Sequence, residues 1–259
     1  MKFRLLALDV EQSEKVKLAY YTRIGHTIDD FFRNVILGKA KGYEIKLGAQ
    51  SLGSCFITDD GELVQWWMDE EFMPMAQAWM WQMLFEETVK SALVSTRQPL
   101  FLSLCLEFQE SIAIESYLFE SREKSVKVDP PLQGCVFEEA TEEEMEICQT
   151  ISREPFVGYY ASLRENRGLF VVKTKGKIIG TGELRVDEKI PGFADLGMVT
   201  HPNFRKRGIA TYVVTNLLVK AKERGLQANA ACEFSNIGSR KTLEKAGMMA
   251  THRMVKIRF

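Results

Sequence analysis

Two spacings of apolar residues alternate along the second half of the chain, and each predicts a different element. Residues 169–174 form a short apolar run, Lys175-Gly176 a tight turn, and 177–186 a returning arm, which together predict a β-hairpin. Residues 187–192 read as a loop and 193–200 as the next strand. From Gly208 to Arg224 the spacing changes. Ile209, Val213, Leu217 and Ala221 recur every four residues, the single apolar stripe of an amphipathic helix, and Gly225 ends it. A strand over 227–232 follows, then a helix capped by Ser235 that runs to about 246 and stops at Gly247, then a last strand over 248–257. A helix over 142–152, with Thr141 as N-cap and acidic residues in its first turn, precedes the whole series. The predicted order is a leading helix followed by β-β-β-α-β-α-β.

The first half repeats this order less cleanly. A helix is expected over 30–39 and strands over 43–47 and 54–58, with a turn at Asp59-Asp60-Gly61 into a strand over 63–68. A long helix over 75–95, a strand over 99–108, a helix to Glu120 and a short strand near Val126 complete the reading. Between the halves, Asp129-Pro130-Pro131-Leu132-Gln133-Gly134 cannot continue a helix and fits a central strand badly. The boundary is placed there, giving domains 1–130 and 131–259. The fold class is α/β, an α+β arrangement on a mixed sheet, and the repeated order predicts a degenerate duplication.

Composition narrows the function classes. Lysine and arginine number 34 against 35 acidic residues, so no global charge draws the chain to nucleic acid or to an anionic membrane. The five cysteines are widely spaced without a C-x-x-C pair, and the three histidines do not pair at ligand spacing, so neither a metal site nor a disulfide framework is expected. The start Met1 to Asp9 is weakly signal-like, but its apolar run is short and Asp9 breaks it. No stretch approaches the roughly 20 apolar residues of a membrane span. Reduced thiols and a cytoplasmic location are the expectation.

The chemistry concentrates in residues 195–211. A strand ends at His201-Pro202, a basic loop Arg205-Lys206-Arg207 follows, and Gly208-Ile209-Ala210-Thr211 opens the amphipathic helix. A helix start offers unpaired N–H donors and partial positive charge, glycine and alanine let phosphate oxygens approach the backbone, and three cations add charge where a polyanion would sit. The bland alternative is a solvated basic turn. The order of the parts favours a pyrophosphate site.

That order resembles the signature of the GNAT superfamily of N-acetyltransferases, Arg/Gln-x-x-Gly-x-Gly/Ala, through Arg205, Gly208 and Ala210. Thr200 and Pro202 fit its upstream context. Asn236-Ile237-Gly238-Ser239 and Leu243-Glu244-Lys245-Ala246-Gly247-Met248 resemble its asparagine helix and ending. The match covers about residues 135–259. The resemblance implies a GNAT-type fold, acetyl-CoA as cosubstrate, and no metal. It implies that Met198, Val199 and Thr200 meet the pantetheine arm, that Arg205, Lys206, Arg207, Gly208, Ile209, Ala210 and Thr211 wrap the pyrophosphate, and that Asn236 hydrogen-bonds near the pantetheine. It also implies direct attack of an amine on the thioester, assisted by a general base.

Three carboxylates are candidates for that base: Glu183, Asp195 and Glu233. Each has an ordinary structural alternative as an edge residue or hydrogen-bond acceptor. Glu183 stands first because it is alone in an apolar strand, where desolvation makes a carboxylate more basic. Cys232 reads as a buried structural thiol. The sequence departs from the family at Leu243, which stands where many members carry a tyrosine acid; Tyr159 or Tyr160, in a loop expected to border the acceptor, or solvent would have to serve instead.

The first half lacks a pyrophosphate loop. Its equivalent, Met68-Asp69-Glu70-Glu71-Phe72-Met73-Pro74, is acidic and has neither glycine nor arginine. Trp66, Trp67, Trp79, Met80, Trp81 and Met83 read first as helix and sheet core, with an acceptor wall or a dimer surface as the sharper alternatives. The expectation is an acetyl-CoA-dependent N-acetyltransferase acting on a small-molecule primary amine, of the bacterial kind with an extra N-terminal domain, with no nucleic-acid or membrane partner and a homodimer left open. The alternatives are acetylation of a protein or peptide amine, and a non-catalytic acyl-CoA-binding regulatory module.

Overall fold

The computed structural model describes residues 2–25, 29, 31–122, 129–152, 159–186 and 190–259. Two compact units divide the chain, Met1–Tyr117 with His252–Phe259, and Leu118–Thr251. The expected boundary at Pro130-Pro131 lies inside the second of these, and the C-terminal strand counts with the first.

The first unit opens on β1 (Phe3–Ala7) and α1 (Val10–Ile24). Asp9 caps α1 in a reciprocal capping box, its side chain accepting from Gln12 N–H while the Gln12 side chain accepts from Asp9 N–H. A π-helical turn Phe32–Ile36 leads into the short α2 (Leu37–Lys39). Strands β2 (Lys41–Leu47), β3 (Gln50–Ile57) and β4 (Glu62–Met68) form an antiparallel meander. A 3-10 helix Glu70–Met75 then leads to α3 (Ala76–Phe85), followed by β5 (Ser91–Ser95), α4 (Pro99–Glu107) and β6 (Ser111–Glu120).

Three expectations are corrected here. The long helix over 75–95 ends at Phe85, and Ser91–Ser95 is a strand with Ala92 and Val94 fully buried. The strand expected over 99–108 is helix α4: Pro99 suits a first helical turn, and Phe101, Leu104 and Cys105 are buried at helical spacing. The helix expected up to Glu120 is strand β6. Leu100, Leu102, Leu104 and Leu106 alternate as in a strand although the segment is helical, so local spacing alone does not fix the element type here. The strand expected near Val126 lies outside the described residues.

The second unit contains β7 (Val136–Glu139), α5 (Met145–Ser152), α6 (Tyr159–Glu165), β8 (Leu169–Thr174), β9 (Lys177–Val186), β10 (Phe193–Thr200), a 3-10 turn Pro202–Phe204, α7 (Ile209–Glu223), β11 (Gln227–Glu233) and α8 (Ile237–Lys245); β12 (Met249–Arg258) follows, and its residues from His252 count with the first unit. From β8 onward the predicted order holds. Tyr160 belongs to a helix rather than to a loop, and the side chain of Tyr159 is outside the described residues. The cap of α8 is Asn236 rather than Ser235, its side chain accepting from Ser239 N–H at 3.0 Å.

Strand order in the second unit is β11-β10-β9-β8-β7, and Ser121 N–H donates to Ala228 O at 2.7 Å. In the first unit the order is β1-β2-β3-β4-β5-β12-β6. Residues Met254 to Arg258 of β12 pair antiparallel with Ser95 to Ser91 of β5. That ladder is why the last residues belong with the first unit, since a strand satisfies its backbone groups only where it pairs.

Each unit has its own parallel pair at its centre. In the second, β10 and β11 pair only over Phe193–Asp195 with Gln227–Asn229. In the first, β4 and β5 pair only at Glu62 with Ser91 and Leu63 with Ala92. Beyond these points the ladders stop. Helix α7 lies close on β9 because β9 presents glycine: a Cβ at Gly182 would stand 2.8 Å from Val213 Cγ1 and 3.3 Å from Leu217 Cδ1. The stripe of Ile209, Val213, Leu217 and Ala221 is buried as expected. Among the described residues no helix is long and apolar enough to cross a membrane, and no group of three or more His, Cys, Asp or Glu is placed to hold a metal ion. All five cysteines are buried free thiols.

Candidate active site

The end of β10 and the start of α7 build one wall of a cavity of about 680 Å³, and α8 builds the other. Met198, Val199 and Thr200 line it from the strand, past the last parallel pair. Arg205, Lys206, Gly208, Ile209, Ala210 and Thr211 line it from the loop and helix start, and Asn236 from the start of α8. Of the expected donor-site residues Arg207 alone does not line this cavity. Its guanidinium lies over the Phe204 ring, 5.6 Å from the centroid.

The loop has the backbone of an anion site. Lys206 (φ 60°) and Gly208 (φ 80°) both adopt the left-handed conformation. A lysine there is strained, and such alternation turns successive N–H groups inward. Gly208 stands at the N-cap of α7 without any side-chain cap. The first helical bond joins Tyr212 N–H to Gly208 O at 3.0 Å. The amides of Ile209, Ala210 and Thr211 therefore have no acceptor within the helix, and the positive end of the helix faces the basic loop. Arg205 Nε lies 3.4 Å from Thr200 O, which ties the loop to the strand end. The residues fit a pyrophosphate through backbone donors, positive charge and small side chains at close approach.

The three candidate carboxylates separate. Glu233 is exposed at the end of β11. Glu183 and Asp195 come together in the interior, 6% and 9% exposed, joined by an arginine that the sequence reading did not weigh. Arg185 donates to Glu183 Oε2 at 2.5 Å and to Asp195 Oδ2 at 2.7 Å, and Tyr160 donates its hydroxyl to Glu183 Oε1 at 2.8 Å. The signal was present as spacing, since Glu183 and Arg185 lie two apart and so share one face of a strand. Gly197, opposite Glu183 in the ladder, leaves the room: a Cβ there would stand 2.7 Å from Arg185 Nη1 and 2.8 Å from Glu183 Oε2. The Gly182 side of β9 faces α7, so Glu183 points to the other face, where α6 supplies Tyr160. None of the three carboxylates lines this cavity itself.

Leu243 is buried, 2% exposed, on the inner side of α8. Cys232 is buried at the end of β11. Missed by the sequence reading, Gly238, Ser239, Lys241, Thr242 and Lys245 also line the cavity. Helical spacing from Asn236 onward was the available signal.

In the first unit the corresponding place is filled. Trp66, three residues past the last parallel pair as Met198 is in the second unit, is buried against Trp79 and Phe101 at centroid distances of 6.1 and 6.2 Å. The acidic stretch after β4 folds as the 3-10 helix, where Asp69 accepts from Trp67 Nε1 at 3.1 Å.

Comparison with known proteins gives two matches to family models, an acetyltransferase (GNAT) domain over residues 9–122 and the acetyltransferase (GNAT) family over 135–248. Over its full length the chain is similar to a solved GNAT-family acetyltransferase from Colwellia psychrerythraea, with 25% identity, a TM-score of 0.87 and complete coverage of both chains. A GCN5-related N-acetyltransferase from Sphaerobacter thermophilus (14% identity, TM-score 0.68, 99% of this chain and 95% of that one) shares the fold. So does a tandem GNAT protein from the clavulanic acid biosynthesis pathway (11% identity, TM-score 0.60, 99% and 98%). An uncharacterized N-acetyltransferase of Bacillus subtilis (strain 168), YjdG, is 29% identical over 87 residues, 33% of this chain, and the match spans about half (52%) of that relative's length.

Proposed function

Because the chain belongs to the GNAT acetyltransferase family and carries two GNAT domains in tandem, we propose that it transfers an acetyl group from acetyl-CoA to the primary amine of a small molecule, using the second unit alone for donor binding. The observation that carries this reading is the cavity between β10, the start of α7, and α8, lined by cations and unpaired helix-start amides. The diphosphate of the donor sits against Arg205, Lys206 and the amides of residues 208–211. The pantetheine arm runs along Met198–Thr200, whose ladder with β11 has ended.

Glu183 is assigned as the general base. The ammonium of the acceptor loses its proton to this carboxylate, directly or through one water. The free amine then attacks the thioester carbonyl carbon, its nitrogen gives its second proton to solvent, the amide bond forms, the C–S bond breaks and the sulfur leaves with the electron pair. Leu243 offers no proton, so the thiolate takes one from solvent. Arg185 and Tyr160 hold Glu183 in place.

Leu243 favours a second reading, a module that binds acyl-CoA without turning it over. Calorimetry with acetyl-CoA, paired with thiol release over a panel of small amines and peptides, separates the two. Binding with thiol release on small amines supports the proposal. Binding with no release on any amine supports the second reading, and release on peptides alone moves the acceptor class. Reversing the loop charge with Arg205→Glu and Lys206→Glu abolishes binding; retained binding removes the site.

A further inference from the structure

The donor cavity holds more positive charge than a diphosphate needs, and the excess lies on one helix. Lys241 and Lys245 are four residues apart on α8, so they share a face, and both line the cavity opposite Arg205 and Lys206. Helix α8 treats its charges differently by face. Arg240 is neutralised by Glu244 at 2.9 Å on the face away from the cavity. Lys241 and Lys245, in contrast, have no ion-pair partner among the described residues. Attraction to the negative end of the helix accounts for a lysine in the last turn, as at Lys245, but not for Lys241 in the middle.

Charge counting says what the pair is for. A diphosphate bridge carries two negative charges, which Arg205 and Lys206 with the helix start can offset. A phosphate monoester adds about −1.5 to −2 more near pH 7. Coenzyme A bears such a monoester on its ribose, at the 3′ position. We infer that Lys241 and Lys245 recognise the 3′-phosphate of the donor, so that the site selects phosphorylated coenzyme A over its 3′-dephospho form. This rests on the proposed acetyl-CoA site and adds a specificity that the loop motif does not contain.

Titration calorimetry of the full chain with coenzyme A and with 3′-dephospho-coenzyme A tests it. The unaltered protein is expected to bind coenzyme A about tenfold or more tightly, as charge-assisted contacts to a dianion would give, and the preference shrinks as salt is raised. The double variant Lys241→Ala with Lys245→Ala is expected to bind both forms equally, with the affinity of the unaltered protein for the dephospho form. That retained affinity also reports that the variant is folded. Equal binding of the two forms by the unaltered protein overturns the inference while leaving the acetyl-CoA site standing. So does a preference that survives in the double variant. Failure of the unaltered protein to bind either form overturns the acetyl-CoA reading and this inference together.

Discussion

Arg185 bridges the two buried carboxylates of the second unit, and its guanidinium is the counter-charge for both. Replacing it by methionine removes the guanidinium that both Glu183 and Asp195 accept from. The expected loss is about 3 kcal/mol, the scale of an uncompensated buried charge, measured as a lower denaturant midpoint; a change under about 0.5 kcal/mol would mean that water already serves the pair. Glu183→Gln tests a different property. It keeps the shape and a hydrogen-bonding oxygen but removes the base. Turnover falls by about a hundredfold or more while the acetyl-CoA KM stays within about twofold, because base catalysis contributes on that order and donor binding does not use this group. Unaltered turnover would pass the role to Asp195 or Glu233. At this scale the sequence made one wall of the cavity legible because its residues lie in one continuous segment, 198–211. It did not make Arg185 or Tyr160 legible as partners of Glu183, because strand pairing and helix packing bring them in from separate stretches.

At the scale of elements, the site depends on how closely α7 approaches β9. Gly182 allows that approach, and Gly182→Val would drive a side chain into Val213 and Leu217. The expected cost is about 1–3 kcal/mol from overpacking, with weaker coenzyme A binding because the helix start moves relative to β10. A loss of stability with unchanged affinity would show that the loop holds its shape without the helix. A second element is tied by Lys173, whose ammonium meets Glu138 at 2.6 Å and also pairs with Glu144, joining β8 to β7 and to the turn before α5. Burial alone would raise the Glu144 carboxyl, but Lys173 and the Thr141 amide outweigh it and hold it below the usual 4.5. The hydrogen bonds to Glu138 and Glu144 raise the Lys173 ammonium above 10.5. The signs set a window. The carboxylate's contribution is present above the unfolded value and fades as pH falls through the depressed one. The ammonium's is present below its unfolded value and fades as pH rises through the raised one. Lys173→Met should therefore cost about 1 kcal/mol near neutral pH, and the difference from the unaltered protein should shrink at acid pH. A difference that persists at low pH would assign the effect to packing of the lysine stem. Element type was readable in α7, where an apolar stripe recurs every four residues, and in the β8–β9 hairpin, where a tight turn separates two apolar runs. It was not readable at α4, whose leucines alternate as in a strand, or at β6, whose buried Tyr117, Leu118 and Phe119 are consecutive.

The whole molecule carries two GNAT domains and, in the proposed function, one donor site. In the first, the space beside the parallel pair is taken by Trp66 packed on Trp79 and Phe101, and the segment after β4 is acidic where the second unit has its basic loop. Calorimetry should accordingly give one coenzyme A per chain, and a stoichiometry of two would restore a donor site to the first unit. The C-terminal strand pairs with β5 of the first unit. The local pattern of hydrophobic and polar residues determined the strands and helices from β8 onward, and the motif from Arg205 to Ala210 determined the place of the basic loop, because both are properties of neighbours in sequence. The ownership of β12, the carboxylate pair held by Arg185, and the lysines of α8 beside the loop were decided by the tertiary structure alone. Each depends on backbone ladders and helix packing that join segments far apart in the chain, and a local pattern specifies the face a residue presents but not the residue it meets there.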